Sequence, residues 1–162
     1  MGWAVGNNGH RDIGYGVPAY CDFPGCNEKI DRGLGYLCGD FFSDVGCGLY
    51  FCGDHMSYGL FDSEGNKIDE DDEEEKADEA GVEVDDSDWV STEVCFQCRD
   101  GLPSFPEKED HPDWIWWKLN APSWARWRSE EPEVRLLLMA ARLVELEYVP
   151  SEDMLEELAD DE

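Results

Sequence analysis

Apolar positions recur with helical spacing only in the last third of the chain. From Pro132 onward, Val134, Leu137, Leu138, Ala141, Val144 and Tyr148 fall three and four apart, the period of one face of an α-helix. Pro132 suits its start and Pro150 its stop. Leu136, Met139, Ala140 and Leu143 widen that face, which predicts a helix that is deeply buried or sandwiched, the second as a homodimer through residues 132–148. Just upstream, Pro112 suits the first position of a shorter helix with Trp114, Trp117 and Leu119 inside. Pro122 and Ser123 restart another helix carrying Trp124 and Trp127. Ser151 is placed to cap a last helix holding Met154, Leu155 and Leu158.

The front of the chain patterns differently. Residues 1–60 hold 13 of the 16 glycines and show no sustained helical period. Such a segment does not bury a conventional core by itself, and short strands with knuckle turns tied by metal would give it one shape. Thr92 to Cys98 reads as a strand entering a cysteine pair, after which Gly101, Pro103 and Pro106 break the chain. The expected fold class is therefore small α+β. It comprises a metal-stabilised, glycine-rich module over residues 1–60 and 89–102, an acidic, mobile loop insertion over 61–88, and a Trp-rich helical appendage over 103–162.

Charge sharpens this division. The net charge is -28, from 40 acidic and 12 basic residues. It is spread unevenly: residues 61–94 carry 16 acids and 2 bases, a net of -14, whereas residues 95–128 are neutral with five of each. Between Asp69 and Asp88 thirteen of twenty residues are acidic and Lys76 is the single base, so like-charge repulsion opposes collapse there. Such a chain repels duplex DNA and anionic membrane and favours basic partners. No run approaches membrane-spanning length. The N-terminal stretch lacks a secretory pattern, and Gly6 stands where myristoylation wants Ser or Thr. With seven cysteines, an odd number, a disulfide framework is the weaker reading, and a reducing cytoplasm is expected.

The cysteines themselves are paired in spacing: Cys21-x4-Cys26, Cys47-x4-Cys52-x2-His55 and Cys95-x2-Cys98, with Cys38 apart. With His55 this makes eight soft donors, enough for two tetrahedral zinc ions, and separations of two to four residues let one knuckle turn present both donors. Cys38 and Cys47, separated by eight residues, lack that form. Spacing alone does not say how the donors divide between two ions. Loaded with zinc, the chain would be about three charges more negative than its formal count.

The string CGLYFCGDH, Cys47 to His55, is similar to the centre of the AN-one-type zinc finger, and CDFPGC at Cys21–Cys26 resembles the opening pair of some members. The likeness, to a cross-brace module of the RING or treble-clef kind, covers residues 21–55. It departs from the family at Cys38 and Cys47, where the family has a tight pair, and after His55, where a His and a Cys would follow closely. Carried over, the cross-brace implies that Cys21, Cys26, Cys52 and His55 hold one zinc and that Cys38, Cys47, Cys95 and Cys98 hold the other. The acidic insertion then becomes a loop that leaves and re-enters one domain.

Two closed sites use every one of these ligands, and no HExxH, deaminase HxE with PCxxC, nucleotide loop or GxSxG is present. No catalytic residue is therefore expected, and the zinc is read as structural. The first functional expectation is a non-enzymatic interaction protein whose acidic surface docks on a basic protein, in its most specific form a DNA-mimic inhibitor of a nucleic-acid-binding enzyme. In size and style the chain is similar to phage or mobile-element accessory proteins. The expected contact residues are Asp69, Glu70, Asp71, Asp72, Glu73, Glu74 and Glu75, with Trp116 and Trp124, since Trp is a favoured interface anchor. Two alternatives are a ubiquitin-system adaptor using Phe41, Phe42, Leu49 and Tyr50 as an apolar groove, and single-stranded nucleic-acid binding in which Arg99, Lys118, Arg126 and Arg128 alternate with stacking tryptophans.

Overall fold

A computed structural model describes residues 5–39, 45–62, 66–68 and 90–160. The protein is a small α+β chain that divides into two compact units, Met1–Lys108 and Glu109–Glu162. Residues 103–108, assigned by composition to the helical part, belong to the first unit. Among the described residues no helix is long and apolar enough to cross a membrane.

In the first unit, β1 (Gly6–Asn7), β2 (Asp12–Tyr20) and β3 (Lys29–Arg32) form an antiparallel sheet in that order. The β2–β3 register slips between Gly14 and Pro18, where Gly14 and Gly16 take φ of 136° and 84°. Only glycine visits such angles without strain, so the bulge is written into the sequence. Beyond it Val17, Ala19 and Cys21 alternate inward and are buried. The pleat of the strand thus aims a cysteine at the core.

A second antiparallel pair joins β4 (Met56–Phe61) to β5 (Val90–Cys95), in register from Met56 opposite Cys95 to Phe61 opposite Val90. The acidic segment therefore leaves from one strand and returns into its neighbour. At its start Asp62 accepts hydrogen bonds from Asn66, and Lys67 bridges back to Phe61. Asp69 to Glu75, expected as contact residues, lie outside the described residues, as do Phe41 and Phe42.

The expectation that this half lacks an apolar interior needs correction. Ala19, Ile30, Leu37, Val45, Leu49, Tyr50, Phe51, Phe61 and Val94 are buried together, and Cys21, Cys38, Cys52 and Cys95 are set among them. The apolar residues arrive singly from separate strands and turns, so no period announces them. Asp22 ties the surrounding segments together. Fully buried, it accepts hydrogen bonds from the Arg11 guanidinium at 2.9 Å, from the Tyr50 amide at 2.9 Å and from the Lys108 amide at 2.8 Å. A buried carboxylate with this many donors is compensated in charge and in hydrogen bonding.

The second unit is helical: α2 (Pro112–Asn120), α3 (Ala125–Glu130), α4 (Glu133–Glu145) and α5 (Glu152–Asp160) follow α1 (Phe96–Arg99) of the first unit. His111 caps α2, its Nδ1 accepting from the Asp113 amide at 3.1 Å. Trp114 and Trp117 are buried, and Trp124 meets Trp114 and Trp127 edge to face at 5.3 and 5.5 Å. Lys118 is buried among them, its Nζ within 5.1 to 6.0 Å of the three rings and 3.2 Å from Asp110. Cation–π attraction and an ion pair together offset the desolvation of the ammonium.

Helix α4 is not deeply buried within its own unit, the first of its two expected placements. It packs against α2, yet Val134, Leu137, Leu138, Ala141 and Val144, the face expected inside, are exposed, while Leu136, Met139 and Leu143 are half-buried. Both sides of α4 are apolar, so periodicity alone could not choose between them. The helix also ends before Pro150. Tyr148 N–H reaches Leu143 O and Glu147 N–H reaches Val144 O, both at 3.0 Å, with Glu147 at φ 49°. This is a Schellman stop with a left-handed residue after the C-cap, and it returns the Tyr148 hydroxyl to Asp113 Oδ1 at 2.8 Å. That bond and, before it, burial raise the Tyr148 pKa above the ordinary range.

Gly39 and Gly46 approach each other and the neighbouring backbone too closely to admit a Cβ at either position. A Cβ on Gly39, at φ 94°, would stand 1.8 Å from Val45 O, a clash that only backbone movement relieves. Gly39→Ala is expected to cost several kcal/mol, on the order of the largest single-site effects. Gly35→Ala, where a Cβ meets nothing within 4 Å, should stay within about 0.5 kcal/mol of wild type; thermal unfolding of the two variants checks the contrast.

Candidate metal centres

Cys21 leaves the end of β2, and the turn that follows closes when Cys26 N–H bonds Phe23 O at 3.1 Å, with Gly25 at φ 81°. The second half of this site is the single turn Gly53–His55, closed by His55 N–H on Cys52 O at 2.9 Å. His55 Nδ1 lies 3.5 Å from Cys21 Sγ and 3.1 Å from Cys52 Sγ, and Cys26 Sγ lies 3.9 Å from Cys52 Sγ. The Phe23 ring stacks on the imidazole at 3.9 Å, with 9° between planes, and Phe105 meets Phe23 edge-on. Such packing holds a ligating ring in one orientation.

The other group explains how Cys38 and Cys47 meet across eight intervening residues. Leu37 bridges to Tyr50, Cys38 N–H bonds Leu49 O at 2.8 Å, and Gly48 N–H bonds Cys38 O at 3.2 Å. The segments around 38 and 48 therefore run antiparallel and face to face, a non-local substitute for a knuckle. Cys95 ends β5, and Cys98 sits in α1 immediately after it. The Cys95 amide donates to Cys38 Sγ at 3.1 Å, and Cys47 Sγ is 3.9 Å from Cys95 Sγ.

In each group the four donor atoms lie within 4.8 Å of one another: Cys21, Cys26, Cys52 and His55 in one, Cys38, Cys47, Cys95 and Cys98 in the other. A tetrahedral ion with bonds of about 2.3 Å to sulfur and 2.0 to 2.1 Å to nitrogen sets edges of roughly 3.8 Å between sulfurs and 3.5 Å between sulfur and nitrogen. The observed contacts match that spacing, and both groups can hold a metal ion. The donors alternate along the chain: first and third pairs in one group, second and fourth in the other. None is joined in a disulfide.

Proton chemistry agrees with this use. Burial, and then contact with Cys21, push Cys52 up to about 12, while the Asp54 amide pulls the other way. Cys47 and Cys98 are raised, each first by its hydrogen bond with Cys38; Cys95 and Cys38 are lowered, the one by Cys38 and the other by Cys47. Without a cation, protons stay on some sulfurs so that others can ionise, because four thiolates in contact repel.

The residues behind the alternative functions are placed differently. Leu49 and Tyr50 are buried in the core and form no surface groove. Trp124 is taken up in its contacts with Trp114 and Trp127, and Trp116 is half-buried. Of the four cations set among the tryptophans, Lys118 is buried, Arg99 pairs with Asp100 and Arg126 with Glu130. Arg128 donates to the carbonyls of Lys118 and Ala121. No motif in the sequence marks Arg11 or Asp22; an acid directly after a ligand cysteine is the nearest signal. Comparison with protein-family models, curated proteins and solved structures finds no match for this chain, so the likeness to the AN-one-type finger rests on its ligand string.

Cobalt(II) added to the metal-free chain is expected to give tetrahedral thiolate spectra that saturate at two equivalents, and Cys26→Ser should abolish one of them. Binding must displace the Cys52 proton, which is held up to about pH 12, against about 8.5 for an ordinary thiol. Apparent affinity therefore rises with pH and falls as the solution is acidified from pH 8 to 5, by about tenfold per unit for each proton released. Competition against a chelator at each pH measures it.

Proposed function

We propose that the protein is a zinc-stabilised, non-enzymatic interaction protein that docks its acidic surface on a basic partner. Zinc suits the donor sets, three thiolates with one imidazole and four thiolates, which are those of closed structural sites. When bound it neutralises part of the thiolate charge and ties the chain ends of each site together. The chain's own residues do the rest: knuckle amides point at sulfur, Phe23 holds His55, and β4 and β5 carry His55 and Cys95 to one end of the same ladder. The alternation of donors makes this a cross-braced arrangement.

The observation that carries the docking reading is the commitment of the cations. Arg11 and Arg32 are buried, and Arg99, Arg126, Arg135 and Arg142 each pair with a carboxylate of this chain. Lys108 is bonded to the Cys26 carbonyl and Lys118 to Asp110. With these eight of its twelve positive groups so engaged, a chain of net charge -28 presents an acidic surface, which speeds encounter with a cationic cleft and selects against anionic partners. A protein whose own ligand is nucleic acid offers such a cleft, and occupying it would inhibit that protein.

Affinity capture from the native host followed by a salt titration tests the reading. Complexes are expected with basic proteins and should weaken by at least about tenfold between roughly 0.1 and 0.5 M salt, as the screening length falls from about 10 Å. A captured partner whose affinity is unchanged over that range removes the electrostatic mechanism.

A further inference from the structure

We propose that the outward side of α4 is a docking face for a cationic amphipathic helix. The inference rests on the reading of this chain as an acidic protein with a basic partner, and adds the face used and the kind of element that occupies it. Val134, Leu137, Leu138 and Val144 are between 62 and 78 % exposed, and Ala141 lies exposed between them. Their spacings of three, one, three and three place them on one stripe of the helix, nearly three turns long. Single exposed apolar residues are ordinary; a continuous stripe on a helix whose other side already packs on α2 marks an interaction surface.

The rim of the stripe decides what lies on it. Residues 109–162 carry 15 acids and 5 bases, a net of -10. The two cations of α4 are committed: Arg135 to Glu131 at 2.8 Å, Arg142 to Glu109 at 2.9 Å and to Glu145 at 2.8 Å. Glu133 and Glu147 stand exposed at its ends, and α5, the next helix in the chain, carries Glu152, Asp153, Glu156 and Glu157 and no base. A second copy would set one acidic rim against another. A membrane surface asks for Lys and Arg around the apolar face, and nucleic acid is repelled. A helix with leucine-like residues on one side and Lys or Arg flanking them satisfies both the apolar stripe and its rim, in the helix-on-groove mode.

Calorimetric titration of the full-length, metal-loaded chain with a designed Leu/Lys amphipathic helical peptide tests the proposal. A scrambled peptide of the same composition and the double variant Leu137→Gln/Leu138→Gln, which keeps the net charge, are the comparisons. The wild-type chain is expected to bind the amphipathic peptide at least tenfold more tightly than the scrambled one, and the variant to lose that preference. Val134→Gln/Val144→Gln should do the same, and circular dichroism confirms that both variants remain folded. Equal binding by wild type and both variants, weakened by salt, overturns the α4 face and leaves the acidic docking reading standing. Absence of binding to either peptide at low salt overturns both. A wild-type dimer in sedimentation that the Leu137→Gln/Leu138→Gln variant dissolves gives the face to a second copy and overturns the proposal.

Discussion

The packing of four soft donors into each of two spaces less than 5 Å across is the constraint on which the first unit depends. Thiolates this close repel one another. A divalent cation held by each group would resolve the conflict, and the donors of the two groups alternate along the chain. Cys21 and Cys52 close one group while Cys38, which lies between them in sequence, belongs to the second. The resulting interior is mixed: Phe51 and Val94 exclude water from sulfurs that would otherwise be an uncompensated burden in a core.

That arrangement also accommodates the acidic segment. A run of like charges destabilises any compact state into which it is drawn, but here it leaves at Phe61 and re-enters at Val90, paired positions on adjacent strands. The ladder between β4 and β5 pairs these two ends and delivers Cys95 to its group. In the second unit the charge is handled otherwise. Lys118 is withdrawn into the tryptophans, Arg126, Arg135 and Arg142 pair with glutamates and Arg128 bonds backbone carbonyls, so the remaining acids set the character of the surface around the α4 stripe.

Local chemistry was legible in the sequence wherever a few consecutive residues decide it. Cys52 to His55 and Cys95 to Cys98 advertise their groups because one turn presents both donors, and Pro112 and Ser151 mark helix starts because a fixed φ and a capping oxygen act within one turn. What the chain does at a distance was not legible. Cys38 meets Cys47 through antiparallel backbone bonds around Leu37 and Tyr50, and nothing near Cys38 in sequence announces them. Lys118 reads as a cation set to contact nucleic acid among stacking tryptophans and is buried because three rings and Asp110 converge on it. Leu49 and Tyr50 read as a groove and are core. For α4 the pattern was correct as a helix and indifferent as to face, since Leu136, Met139 and Leu143 compete on equal terms with Val134, Leu137 and Leu138.

The central claim, that two metal ions hold the first unit in one shape, is most directly tested by native mass spectrometry of the purified chain before and after exhaustive chelation, with amide exchange followed in parallel. The account predicts a mass two zinc ions above the polypeptide, and loss of exchange protection at Val17, Phe51 and Val94 once both are removed. A chain that carries no metal as purified, or that keeps protection at those three amides after chelation, would contradict it.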